Sequence, residues 1–314
     1  MAANLLGDKT MRKVLLASTA LVALGSVSAM AADVNIAGSY EMLYKSIDDN
    51  GATADADEVS SSSELDISFS ETLENGMTMS MSFGFAGAKD DSAFTLGGTP
   101  MGTIRITDMD DDAVEGLDID ADGYTPEEGR TGTPTYGGGF TGTAGESISI
   151  TLPPMMAGLT VAVAMSDSAA DAKDTAYGLS YSGAAEGMSF KVALAANTND
   201  NGTVETDYSH YGLEITAGAI TIGGAINGKE VDGDSADYES SEIGVKYAVN
   251  SSLTLGAYSR TAETGTATEE FKETAMSATY TITPGLSASI TSTSSDISTT
   301  DEDSRMVIGL NASF

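Results

Sequence analysis

Cysteine is absent from this 314-residue sequence. An exported fold made from it has no disulfide framework and must be held by its own ladder of hydrogen-bonded strands. Tryptophan is also absent, and His210, between Ser209 and Tyr211, is the one histidine. A hydrolytic site needs a base held by an orienting partner near a nucleophile. A lone histidine in a strand-like run reads instead as a polar side chain of a lumen or rim, and no enzyme is expected. Cations are scarce: 14 Lys and Arg stand against 47 Asp and Glu, a net charge of −33. So acidic a chain does not seek nucleic acid or anionic membrane surfaces, and it attracts cations. A generic solubility charge or salt adaptation accounts for part of that excess. Long apolar runs are missing as well. Beyond residue 31 nothing approaches the roughly 20 residues of a membrane-spanning helix. A membrane protein without such a run is left with a closed barrel, because lipid offers no partner to unpaired backbone groups. The other option is a soluble secreted protein.

The first residues carry an export signal. Met1–Thr10 reads as an upstream extension, and Met11, Arg12 and Lys13 form a short basic region. Val14–Val27 is an apolar core too short to span a bilayer, and Ala29-Met30-Ala31 is a small-x-small cleavage site. Cleavage is expected after Ala31, leaving residues 32–314 as the mature chain. Removal of Lys9, Arg12, Lys13 and Asp8 leaves 11 cations against 46 carboxylates, a net −35.

The mature chain is built from short runs in which apolar and small polar residues alternate. Strands half buried in lipid have this period of two, in units of about ten residues separated by turn signals. In the first unit, Val34, Ile36, Tyr40, Met42 and Tyr44 share one face. The cleanest alternation is Met77–Phe85, with Met77, Met79, Met81, Phe83 and Phe85 on one face and Thr78, Ser80, Ser82 and Gly84 on the other. Sixteen such units are expected, the fourth a short one over Ala93–Leu96 and the last over Arg305–Phe314. Connections alternate between short turns, such as Glu74-Asn75-Gly76 and Thr283-Pro284-Gly285, and longer acidic stretches, such as NTNDNGTVETD and STSSDISTTDED. Short turns at one rim and long loops at the other is the layout of outer-membrane barrels. The expected fold is therefore all-β: a closed antiparallel transmembrane β-barrel of about sixteen strands. Tyr40, Tyr44, Tyr177, Tyr181, Tyr211, Tyr247 and Tyr280 fall near strand ends, where interfacial girdles form.

One stretch breaks the pattern. Residues 108–142 have no helical or strand period and carry ten carboxylates against one cation, Arg130. A loop of this length inside regular structure is usually functional or disordered. Two readings stand: it folds into the barrel and narrows it, or it is a solvated surface loop.

With these features the chain resembles the general porins of alphaproteobacteria, the Rhodobacter-like trimeric type. The likeness rests on the export signal, the mature start Ala32-Asp33-Val34, the sixteen strand-like units, the acidic loop after the fifth, and the terminal strand VIGLNASF ending at Phe314. It covers 32–314 as a single barrel domain. The resemblance implies a homotrimer in outer-membrane lipid and lipopolysaccharide that passes ions and small hydrophilic solutes by diffusion. It implies a third long loop folded into the lumen opposite basic wall residues, and a C-terminal strand read by the barrel assembly machinery. Ala312 departs from the larger apolar residue that is commoner there.

The candidate constriction sets loop carboxylates, Asp108, Asp110, Asp111, Asp112, Glu115, Glu127 and Glu128, against cations of inward parity, Arg105, Lys191, Lys246, Arg260 and Arg305. Rings of acidic residues favour cations, and with so few wall cations, cation preference is expected. Charge on the lumen face is required anyway, since on the lipid face it costs roughly 2–4 kcal/mol at midplane. Asp118, Asp120 and Asp122 followed by Gly123 match the front of a calcium loop, but the twelfth position is Gly129 rather than Glu. No cofactor is required, and calcium in the acidic loop is a candidate. The contrasting function class is a secreted or surface-exposed, acidic, calcium-binding β-protein of adhesin type.

Overall fold

The computed structural model describes residues 33–49, 56–86, 89–108, 113–119, 122–126, 143, 146–166, 173–200, 202–233, 237–264, 270–297 and 303–314. Sixteen strands follow one another: β1 Asp33–Asp49, β2 Ala56–Thr72, β3 Thr78–Phe85, β4 Lys89–Thr99, β5 Gly102–Thr107, β6 Ser147–Thr151, β7 Leu159–Ser166 and β8 Lys173–Ala185. Then come β9 Met188–Asp200, β10 Glu205–Ala217, β11 Ile220–Val231, β12 Tyr238–Ala248, β13 Leu253–Thr264, β14 Glu270–Thr283, β15 Leu286–Ile297 and β16 Asp303–Ser313. Each pairs antiparallel with its sequence neighbours, and β1 pairs with β16, so the sheet closes into a sixteen-stranded barrel. None of the described helices is long and apolar enough to cross a membrane. Closure leaves no strand edge whose backbone groups would face hydrocarbon unpaired.

Alternation decides which face is which. On β10 to β12, Leu213, Ile222, Ile226 and Ile243 point outward with 47, 50, 48 and 61 % of their surface exposed, while His210, Asn227 and Ser240 are buried. Large apolar side chains left open around a cylinder make sense only against lipid; in water such a continuous belt would associate. Tyr40, Tyr177, Tyr211, Tyr247 and Tyr280 are exposed on this outer surface. Tyr181 differs, being half-buried with its ring 5.8 Å from that of Phe190.

The seam is made by the last residue. Phe314 and Gly38 exchange both backbone hydrogen bonds, each 3.0 Å, and the Phe314 ring lies where a Cβ on Gly38 would be, 2.5 Å from its tip. At the short-turn rim the β12–β13 connection has no glycine, and the side-chain oxygen of Asn250 accepts hydrogen bonds from the amides of Ser252 and Leu253 at 2.8 and 2.9 Å.

Several boundaries differ from those the sequence implies. Strand β4 runs over Lys89–Thr99 rather than four residues, and Met77 lies before β3, its amide bonded to the Asn75 side chain at 3.1 Å. Most of the acidic connections are strand: β9 continues to Asp200 and β10 starts at Glu205. Above the lipid both faces of a strand meet water, so no apolar alternation marks it, and only the register with the neighbouring strand extends it.

Candidate functional site

The described parts of the long loop, 113–119 and 122–126, pack on inward-facing wall side chains. Val114 is fully buried against Ala162 and Ala164 of β7, Ala176 of β8 and Ala195 of β9, and Ala113 donates its amide to Ser149 Oγ at 3.3 Å. Two short 3-10 turns, Glu115–Leu117 and Asp122–Tyr124, add further contacts. The first lies on β8 and β9, the second on β12 and β13. These wall positions are small because the loop occupies the space. A Cβ on Gly178 would stand 2.8 Å from Val114, on Gly212 2.7 Å from Ile119, and on Gly256 2.0 Å from the Tyr124 carbonyl oxygen.

Polar contacts fix the register of the loop on the wall. The Ile119 amide donates to His210 Nε2 at 3.1 Å. The Lys191 ammonium donates to the Asp118 carbonyl at 2.7 Å, and the Tyr124 hydroxyl donates to Glu214 Oε2 at 2.6 Å. Lys246 lies over the Tyr124 ring, 5.3 Å from its centroid.

The candidate residues therefore separate. Lys191 and Lys246 do meet the loop, but they engage a main-chain carbonyl and an aromatic ring. Arg260 is part of a wall cluster: its guanidinium is 3.3 Å from Glu273, with the two side chains 4 and 0 % exposed. Tyr258 also donates a hydrogen bond to that carboxylate, and Phe271 lies 5.9 Å below the guanidinium. Glu242, cross-strand from Arg260 on the other side, is buried too. Arg105 and Arg305 face inward from β5 and β16, each half-buried.

Asp108 departs from the expected constriction. It follows β5 at outward parity, and its carboxylate accepts hydrogen bonds from the Ser92 amide at 2.5 Å and the Ser92 hydroxyl at 2.9 Å. It ties β4 to the start of the loop. Asp110, Asp111, Asp112, Asp120, Glu127 and Glu128 lie outside the described residues, as do the cleavage site and the upstream extension. Glu115 and Asp122 are described in backbone only. Among the described residues no three His, Asp or Glu gather as a metal site.

A family model described as Gram-negative porin matches residues 17–300. The chain belongs to the Gram-negative porin family. Its membership and its closed barrel make it an outer-membrane channel protein. No curated relative matches. Solved porin structures share the fold at low identity. The loop-deleted OmpT of Vibrio cholerae is 14% identical with a TM-score of 0.69, and the anion-selective porin of Comamonas acidovorans is 12% identical with a TM-score of 0.70. A mutant of the Rh. blastica porin is 15% identical with a TM-score of 0.66. Each is covered over 100% of its length and covers 90% of this chain.

Residues of this porin that composition and parity passed over are the wall glycines and the small set around His210. Gly212, Gly223 and Gly256 are inward-facing positions without a side chain on strands otherwise filled in the lumen. That run of inward glycines and alanines from β7 to β13 was legible as a parity pattern, though not as a docking surface.

Proposed function

We propose that this porin conducts small cations in preference to anions, together with small hydrophilic solutes, through a lumen narrowed by the segment 108–142. The observation that carries the preference is the fate of the wall cations. Lys191, Lys246 and Arg260 are each engaged with a carbonyl dipole, an aromatic face or a buried carboxylate, while the sequence supplies 47 carboxylates against 14 cations. The Comamonas structure, described as anion-selective, has the same barrel. The architecture leaves the sign of the ion open, and side-chain charge decides it.

The test is the zero-current potential of single channels in a planar bilayer under a salt gradient. A cation-preferring sign is expected. Replacing Asp110, Asp111 and Asp112 with Asn moves the potential towards zero; an unchanged potential removes those three from the passage. An anion-preferring sign in the unaltered channel ends the reading. Cleavage after Ala31 belongs to the same proposal and is checked by the N-terminal mass of the exported protein. So does assembly as a homotrimer in lipid and lipopolysaccharide after insertion by the barrel assembly machinery, checked by native mass. Calcium held by Asp118, Asp120 and Asp122 would cross-link the loop, and a chelator-dependent fall in the unfolding temperature tests it.

A further inference from the structure

His210 is 1 % exposed and projects from the inner face of β10 into the contact with the loop. Its two ring nitrogens face different kinds of group. Nε2 receives the Ile119 amide at 3.1 Å. A backbone N–H can only donate, so Nε2 must carry a free lone pair. Nδ1 stands 2.7 Å from Asn227 Oδ1, an acceptor, and therefore carries the proton. The two contacts together specify the neutral imidazole with hydrogen on Nδ1. The imidazolium has N–H on both nitrogens and would set a donor against a donor at Ile119. Ile119 and Asn227 are themselves buried, at 4 % each, so water does not replace the lost bond at low cost. Gly212 lets the loop come this close: a Cβ there would be 2.7 Å from Ile119 and 2.9 Å from His210 Nε2.

We propose that His210 is the positioning residue of the inward loop, holding residues 117–119 on the wall only while its imidazole is neutral, so that acidification releases this segment. The charged and titratable groups that face it come from each element packed around it. Lys191 comes from β9, Tyr208 and Glu214 from β10, Lys229 from β11, and Asp118 from the loop, with Asp174 of β8 and Glu242 of β12 one strand further away. Lys191 is bound to the same stretch of loop through the Asp118 carbonyl. In the Ile119 contact itself, His210 is the group whose gain of a proton turns the accepting atom into a donor. That the released segment alters conduction rests on the channel reading above; the release itself does not.

Absence of cysteine makes the test direct. Gly116, where an added Cβ meets nothing within 4 Å, takes a single nitroxide label through Gly116→Cys, and the protein is placed in vesicles. Spectra are taken from about pH 8 to about pH 4, across the range of histidine. In the otherwise unaltered chain the immobile component is expected to be lost as pH falls. His210→Gln, whose amide can accept from Ile119 and donate to Asn227 without titrating, is expected to keep it at every pH, and His210→Ala to lack it at every pH. A spectrum independent of pH, or a His210→Gln spectrum that follows the unaltered chain, overturns the proposal. Conductance recorded over the same range separates the two readings. A pH-dependent label with unchanged conductance leaves the His210 tether standing and removes the loop from the conducting path.

Discussion

Gly256 on β13 offers a clean way to lift the loop off the wall without touching a charge. A Cβ at this position would stand 2.0 Å from the Tyr124 carbonyl oxygen and 3.0 Å from its carbonyl carbon. Ordinary van der Waals contact begins at about 3.4 Å, so in Gly256→Ala the oxygen must retreat by about 1.4 Å. The obstructing atom is backbone, not the end of a flexible side chain, so the strain falls on the whole Asp122–Tyr124 turn. Inserting one methyl into a well-packed contact costs typically 1–3 kcal/mol. At about 1.4 kcal/mol per tenfold, that shifts the balance between docked and lifted loop by roughly 5- to 150-fold. The barrel ladder is not involved, so the variant should still migrate as a folded species on unheated gels. Single-channel recording is the assay: the variant is expected to show a changed mean conductance and more frequent switching between levels, whereas Gly116→Ala, with open space around its Cβ, behaves as wild type. Gly256→Ala traces indistinguishable from wild type in both level and switching rate would refute the docking of Tyr124 on β13 as the determinant of the passage.

Other substitutions probe the wall. Ile243→Lys, on the lipid face at mid-height of β12, should lower the unfolding free energy in lipid by about 2–4 kcal/mol, while Thr279→Lys on the inward face of β14 should cost far less; denaturant titration in liposomes compares them. Arg260→Met leaves Glu273 buried without its cation, and a loss of about 3–5 kcal/mol is expected in the same titration. Deleting Phe314 removes both backbone bonds to Gly38 and the ring above it, so the yield of folded barrel in refolding into vesicles should fall severalfold. Lys191→Met takes away the donor to the Asp118 carbonyl together with one lumen cation. It should raise cation preference in the zero-current potential and add switching noise.

The sequence alone determined that the chain closes on itself and which face each strand turns outward. Leu65, Ile222 and Leu310 are assigned to lipid by parity, because a period of two is a local property that survives in one dimension. The turns are legible for the same reason, from Asn75-Gly76 and Pro284-Gly285. Strand ends above the lipid were not legible: with water on both faces, Asn197–Asp200 and Glu205–Asp207 carry no alternation, and their partners across the ladder define them.

The tertiary structure alone decided what the inward charges do. Lys191, Lys246 and Arg260 share a parity, and parity says only that they avoid hydrocarbon. Arg260 meets Glu273 of the neighbouring strand, whereas Lys191 and Lys246 meet a carbonyl and a ring only because particular loop residues, Asp118 and Tyr124, arrive opposite them from far away in the chain. The same holds for His210, which the sequence marks only as a polar side chain of the lumen or rim until Ile119 is brought within 3.1 Å of it. A contact of that sequence separation leaves no periodic trace, and only the closed barrel, with the loop folded into it, puts the two groups together.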